Sequence, residues 1–399
     1  MKTNTSDLTA ALDVLLGLCV KLDGSDLHIV AGLPPHVRIH GELTPLNDAA
    51  VCSAEETRQF AEILLRRMAN EESVGCVVET ALAAKGSVDG AVTIPGGARF
   101  RFNIFRRQNE ISIALRRLED RFRTLSELGL PESLYSLCQL RDGLVVVSGP
   151  TGAGKSTTLA ALLDHVNRNR SGHIITIEDP IEYVHQRVRC VINQRQVGID
   201  APTFNDALVA SLRQDPDVVL VGEIRDLETI RTAITAAETG HLVFTTLHAG
   251  DCVGSIERLV SVFPSTEQDG IRRQLSLVLR GIVAQHLLPT AQGFGQAASG
   301  PVPRVVASEI LMVTTAVGNL IATGRSTQIY SAMEAGASMG MQTLEQDLAR
   351  LWVAGSISEH TAELMARNAT ILRDRANLLR RRPTSNGNGN GHGKPGGKA

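Results

Sequence analysis

Between residues 8 and 118, apolar and polar positions recur at two different periods. Leu8, Ala11, Leu12, Leu15, Leu16 and Cys19 fall at helical spacing. This predicts an amphipathic surface helix over about 8–20, capped by Ser6 or Asp7. "SDLHIVAG" and "HVRIHGELTPL" instead alternate at a period of two, as half-buried strands do, and Pro34 and Pro35 mark the turn between them. A second helix is predicted over about 53–69, with Ser53 as its cap and Glu55 and Glu56 in its first turn, followed by strands near 99–105 and 110–118. Residues 1–118 therefore read as a smaller α+β domain.

From about residue 125 the pattern changes. "GLVVVSG", "HIITIED", "VVLVGE" and "HLVFTTLH" are short unbroken apolar runs with helical segments between them. Strand–helix alternation of this kind predicts an α/β domain with a largely parallel core sheet, assigned to 119–372. "TAQGFGQAASGPVP", 290–303, reads as a hairpin tip, and helical segments follow to about residue 381. The tail, assigned to 373–399, is basic and then Gly/Asn-rich, and is expected to be disordered.

Composition narrows the function classes. The 399 residues suffice for two or three domains with cores. A net charge of −2 gives no global basic field to attract nucleic acid, and aromatics, at 3 %, are too sparse for stacking platforms. No apolar run approaches the ~20 residues of a membrane helix, and Asp13 interrupts the one N-terminal stretch that resembles a signal sequence. The six cysteines are scattered without a C-x-x-C pair, which argues against a zinc module or a disulfide framework and for a reducing cytoplasm.

The chemistry begins at "SGPTGAGKSTT", 148–158. Gly149, Gly152 and Gly154 sit between an apolar strand and a helix, and Lys155 follows. Glycines let backbone N–H groups converge on phosphate oxygens, and the helix start adds a positive dipole end. The stretch matches G-x-x-x-x-G-K-[ST], so Gly149, Pro150, Thr151, Gly152, Ala153, Gly154, Lys155, Ser156 and Thr157 are expected to hold a nucleoside triphosphate, with the Ser156 hydroxyl on Mg²⁺.

Two more strands end in acids. Glu223 follows the 218–221 strand, where a carboxylate can hold Mg²⁺ directly or through water. Glu178, Asp179 and Glu182 cluster after 174–177, candidates to polarise an attacking water. His241 and His248 flank one strand, roughly 23 Å apart end to end, so they cannot share a metal. His248 ends beside the presumed phosphates and is the better candidate for sensing the γ-phosphate.

With these boxes in order, the chain resembles the secretion ATPases of type II secretion and type IV pili, and within them the pilus retraction ATPases. "GSDLHIVAGLPPHVRIHGEL", "RFNIFRRQNEISIALRRL", "TIEDPIEYVH", "RLVSVFPS" and "SMGMQTLEQDLARL" also carry the resemblance, which covers most of residues 8 to 365. It implies a PAS-like N-terminal domain, a RecA-like P-loop ATPase domain and a homohexameric ring using ATP and Mg²⁺. Glu182 takes the position of the catalytic glutamate and Glu223 that of the Walker B acid. His241 and His248 fall in the histidine box, and Arg99, Arg101 and Arg116 in the place of arginine fingers. The implied partners are an inner-membrane pilus platform protein, beside which the cytoplasmic ring would dock, and a paralogous motor ATPase; no nucleic acid is implied.

Retraction members usually carry a motif close to A-I-R-N-L-I-R-E. The matching stretch here is "AVGNLIATG", 316–324, with Gly318 in place of an arginine and Ala322 and Thr323 in place of the arginine–glutamate pair. The expected function is pilus retraction. The rivals are an accessory subunit and an assembly or secretion ATPase, which would add a longer N-terminal region and a tetracysteine module.

Overall fold

The alternating segments of the first 118 residues close into an antiparallel sheet. The computed structural model describes residues 5–39, 42–46, 49–69, 78–83, 86–118, 121–291 and 304–381. The first domain runs α1 (Thr5–Lys21), β1 (Asp26–Val30), β2 (His36–Ile39), β3 (Glu42–Pro45), α2 (Ala54–Ala69), α3 (Val78–Leu82), β4 (Ser87–Thr93), β5 (Arg99–Arg107) and β6 (Glu110–Arg117). Its six strands lie in the order β3-β2-β1-β6-β5-β4. The period-two alternation is clearest in β5, where Phe100, Phe102 and Ile104 are fully buried while Arg99 and Arg101 face the other way. Burying each phenylalanine contributes roughly 1.5–3 kcal/mol.

Helix α1 buries Leu8, Leu12, Leu15, Leu16 and Cys19, but Ala11, expected on that face, is exposed. Ser6 and Asp7 fall inside the helix, which starts at Thr5, so neither is the cap expected of it. Ser53 does cap α2: its hydroxyl accepts the Glu56 N–H at 3.2 Å and the Glu56 carboxylate accepts the Ser53 N–H at 2.8 Å.

The second domain runs β7 (Gly143–Ser148), α4 (Lys155–Asn169), β8 (His173–Glu178), β9 (Val191–Gln196), α5 (Phe204–Ser211), β10 (Val218–Val221), α6 (Leu227–Glu238), β11 (Leu242–Leu247), α7 (Cys252–Ser261), α8 (Ser265–Val278), β12 (Leu279–Pro289) and β13 (Arg304–Met312). It ends in α9 (Thr315–Ala322), α10 (Ile329–Ala335), α11 (Leu344–Val353), α12 (Glu359–Met365) and α13 (Ala369–Arg381). The sheet order is β13-β12-β7-β11-β10-β8-β9, parallel throughout except for the β12–β13 hairpin. β7 and β11 are buried at every position, as expected of strands with helices on both faces. On one face Val145 and Val147 meet α4; on the other Leu144 and Val146 share a core with α6 to α8.

The hairpin expected at 290–303 joins β12 to β13, with Pro289 opposite Arg304; residues 292–303 lie outside the described ones. The boundary placed at 372/373 falls inside α13, which buries Leu372 and Ala376 against α11, so the basic stretch to Arg381 is helical rather than tail. Residues 382–399, expected to be disordered, lie outside the described residues. Among the described residues no helix is long and apolar enough to cross a membrane. Cys19, Cys52, Cys138, Cys190 and Cys252 are free and buried, and burial pushes the Cys19 and Cys52 thiols up to about 11.

The C-terminal helices are fastened to the sheet through Arg367. Its guanidinium pairs with Glu309 of β13 at 2.7 Å and with Asp251, the cap of α7, at 3.6 Å. Its backbone N–H donates to buried Glu345 of α11 at 3.1 Å. Glu309 is only 1 % exposed, so loss of its cation leaves a buried carboxylate uncompensated. Arg367→Ala should cost about 2–3 kcal/mol, less than a fully buried pair because the arginine is partly exposed. Urea denaturation followed by circular dichroism checks this, and an unchanged midpoint would contradict it.

Candidate active site

All four parallel strands that carry the sequence boxes present their C-terminal ends at one edge of the sheet, where α/β proteins bind ligands. β7 ends at Ser148, and after six intervening residues α4 begins at Lys155. Gly149 has a φ of +145°, and a Cβ there would lie 2.4 Å from the Gln285 carbonyl oxygen on β12. Gly154, left-handed with a φ of +88°, precedes α4 without a side-chain cap. The loop thus presses against β12 on one side and leaves the positive end of α4 open on the other.

Lys155 lies beneath this loop, 9 % exposed. Its Nζ donates to the carbonyl oxygens of Gly149 at 2.9 Å and Pro150 at 3.0 Å. Burial lowers its pKa, and the charges of Glu223 and Glu182 act in the opposite direction. Both acids reach the same region from β10 and from the loop after β8. Glu223 pairs with Arg225 at 2.7 Å and lies 3.5 Å from His248 Nε2. Glu178 accepts hydrogen bonds from Thr176 Oγ1 at 2.6 Å and Gln194 Nε2 at 3.2 Å; burial nonetheless raises its pKa.

A cavity of 340 Å³ opens between these groups. Thr151, Gly152, Lys155 and Ser156 line it from the loop and the start of α4, Glu178 from the end of β8, Asp179 and Glu182 from the loop after it, and Glu223, Arg225 and His248 from just past β10 and β11. Arg101 of the first domain completes the wall. Phe204 and Thr246 also line it, and no motif in the sequence singled them out. Both are recognisable only once α5 and β11 are placed, since neither carries a charge or a spacing of its own.

The three candidate arginines separate. Arg101 faces the cavity, and Arg99 lies near enough to Glu178 that the carboxylate's charge opposes the lowering of its pKa by burial. Arg116 stands directly opposite Arg101 across the β5–β6 ladder, but its guanidinium turns to Asp26 at 2.9 Å and is 71 % exposed. It does not line the cavity. Neither does His241: it precedes β11, at the end of the strand away from His248, with Nδ1 3.0 Å from the Ala236 carbonyl oxygen of α6. That contact fastens α6 to the sheet and leaves His241, placed in the histidine box as a cofactor-binding candidate by the resemblance, away from the cavity. Pro150, Ala153, Gly154 and Thr157 shape the loop without lining the cavity; the Thr157 hydroxyl accepts from Tyr183 at 3.0 Å.

A parallel sheet with a glycine loop and lysine on a central strand, faced by carboxylates from the ends of two neighbouring strands, defines a P-loop ATPase. The chain belongs to the type II/IV secretion system protein family, whose model matches residues 46–367. It is 41 % identical to the type IV pilus retractation ATPase PilT of Pseudomonas aeruginosa over 355 residues, 88 % of this chain and 97 % of that one. It is 38 % identical to the type IV pilus ATPase PilU of the same organism, over 90 % of this chain and 89 % of that one. Its fold matches the crystal structure of the pilus retraction motor PilT with bound ADP, with a TM-score of 0.80, 40 % identity and coverage of 91 % and 98 %.

The clash at Gly149 gives a direct test of the loop. Gly149→Ala should weaken binding of a fluorescent ATP analogue at least about tenfold, or 1.4 kcal/mol, by pushing the loop off β12. Wild-type affinity would show that the contact with Gln285 does not shape the site.

Proposed function

We propose that the chain is a Mg²⁺-dependent ATPase that powers retraction of type IV pili as a ring of six copies. The observation that carries this reading is the cavity in which the P-loop, the acids after β8 and β10, and Arg101 meet. The similarity to PilT gives the direction of the work. Residues 1–118 form the mobile half and residues 121–381 the ATPase half. The strand order β2-β1-β6-β5-β4 within the first sheet, with β3 added at one edge, supports reading that half as PAS-like. The ring would stand on the cytoplasmic side of the inner membrane against the pilus platform protein.

The residues fit a Mg–nucleotide complex. Among the described residues no group of three or more His, Cys, Asp and Glu could hold a metal unaided, but Ser156 and Glu223 line one cavity as a hydroxyl and a carboxylate. That sparse donor set suits Mg²⁺, which keeps waters and takes its other ligands from phosphate. When bound, the ion would neutralise charge on the β- and γ-phosphate oxygens. Lys155 exchanges its two carbonyl partners for those oxygens. Glu182 accepts a proton from the attacking water, and His248, beside Glu223, reads the γ-phosphate. Arg101, with Arg99 beside it, supplies positive charge from the other domain.

A second reading, an accessory motor subunit, draws on the altered 316–324 stretch. Gly318 is buried in α9, and a Cβ there would lie 3.1 Å from the Ser276 carbonyl oxygen of α8. An arginine at this position would need the two helices to part. In a deletion strain, non-motile cells with excess pili are expected; bald cells would indicate assembly, and near-normal cells the accessory role.

Lys155→Ala should lower kcat at least about 10³-fold, through lost electrostatic stabilisation worth several kcal/mol. Glu182→Gln should lower it about 10²- to 10⁴-fold while nucleotide still binds. Steady-state ATPase assays with fluorescent-nucleotide titration check both, and wild-type turnover in either would remove the role assigned to that residue.

Arg101→Ala should lower kcat about 10²-fold or more with affinity nearly intact, because the charge acts on the transition state. Arg116→Ala removes an exposed guanidinium from the buried Asp26 carboxylate, which Arg38 also faces at 3.7 Å, and should leave turnover per folded protein within about twofold. The reverse pattern would move the finger from β5 to β6.

A further inference from the structure

The loop that carries Glu182 is held by a residue outside every sequence box. Gln194 lies on β9, the edge strand of the second sheet, directly opposite Thr176 of β8. Its amide makes three contacts with the 178–185 loop. Nε2 donates to Glu178 Oε1 at 3.2 Å and to the Tyr183 carbonyl oxygen at 2.7 Å, and Oε1 accepts the His185 N–H at 2.9 Å. Glu182 lies between the fastened residues. Its own N–H turns toward the Glu178 carboxylate, which Gln194 and Thr176 also hold.

The far side of the loop is tied as well. Tyr183 donates its hydroxyl to Thr157 Oγ1 of the P-loop helix at 3.0 Å. Phe122, in the stretch joining the two domains, packs its ring 5.7 Å from that of Tyr183 and 4.7 Å from that of His185. A loop without regular secondary structure would otherwise let a carboxylate wander by more than the ångström that separates an effective base from a poor one.

We propose that Gln194 is a positioning residue for ATP hydrolysis: it clamps the loop after β8 so that Glu182 faces the γ-phosphate, and Tyr183 registers that loop against the P-loop. The clamp needs two donors and one acceptor in one plane, a set that an amide offers and a carboxylate or an aliphatic chain does not. The inference rests on the reading of Glu182 as the group that receives the water's proton.

Gln194→Leu keeps the volume and removes the clamp. Turnover of the full-length protein, normalised to nucleotide-binding sites titrated in the same preparation, should fall about 10- to 100-fold. Nucleotide Kd should stay within about twofold of wild type, a separation that simple destabilisation would not give. Tyr183→Phe, which removes one hydroxyl and leaves the core intact, should show a smaller loss in kcat with the same unchanged Kd.

In the Glu182→Gln background Gln194→Leu should add no further loss, because the group it positions is already disabled. Unchanged normalised kcat in Gln194→Leu overturns the proposal. So does a loss that multiplies with that of Glu182→Gln, which would leave Glu182 in its role but detach Gln194 from it. Full turnover in Glu182→Gln alone overturns the reading of Glu182 and the positioning role with it.

Discussion

The ammonium of Lys155 sets the constraint around which the second domain is built. A charge this deeply placed loses much of its hydration, and the fold answers with the carbonyl oxygens of Gly149 and Pro150 and the more distant Glu223 and Glu182. Two carbonyls are weak partners beside phosphate oxygens. The loop that supplies them exists only because glycines accept its backbone angles and because β12 runs close enough to brace it at Gln285. The parallel sheet then brings the acid-bearing ends of β8 and β10 to the same edge, so that cation and carboxylates share one cavity rather than neutralising each other in the core.

The first domain contributes through the outward face of a single strand. Phe100 and Phe102 anchor β5 in its own core, which leaves Arg99 and Arg101 on the opposite face, toward Glu178 and the cavity. The stretch after β6 places Phe122 against Tyr183 and His185, so the connection between domains touches the loop that carries Glu182. A change in the angle between domains would therefore be felt at the acids as well as at the arginines.

Much of this was legible in the sequence because its physical causes are local. Unbroken apolar runs such as Leu144 to Val147 are buried on both faces, and the glycine spacing of the P-loop states its own backbone requirement. Features that depend on partners distant in the chain were not legible. Arg101 and Arg116 look equivalent until the β5–β6 register sets them opposite each other and Asp26 draws one guanidinium away. His241 shares a sequence box with His248, but a full strand separates them, and only the position of α6 explains its contact with Ala236. Gln194 sits among polar residues of an edge strand, where nothing in composition or period separates a clamp from a solvated side chain. Helical segments are expected to about residue 381, but the domain boundary at 372/373 misses that Leu372 and Ala376 seat α13.

The most direct test is an experimental structure of the protein with Mg²⁺ and a non-hydrolysable ATP analogue. Lys155 Nζ should have left the Gly149 and Pro150 carbonyls for the β- and γ-phosphate oxygens. The ion should lie between Ser156 and Glu223, with Glu182 and Arg101 facing the γ-phosphate. A structure in which Lys155 keeps its carbonyl partners while the analogue binds elsewhere would contradict this placement of the active site.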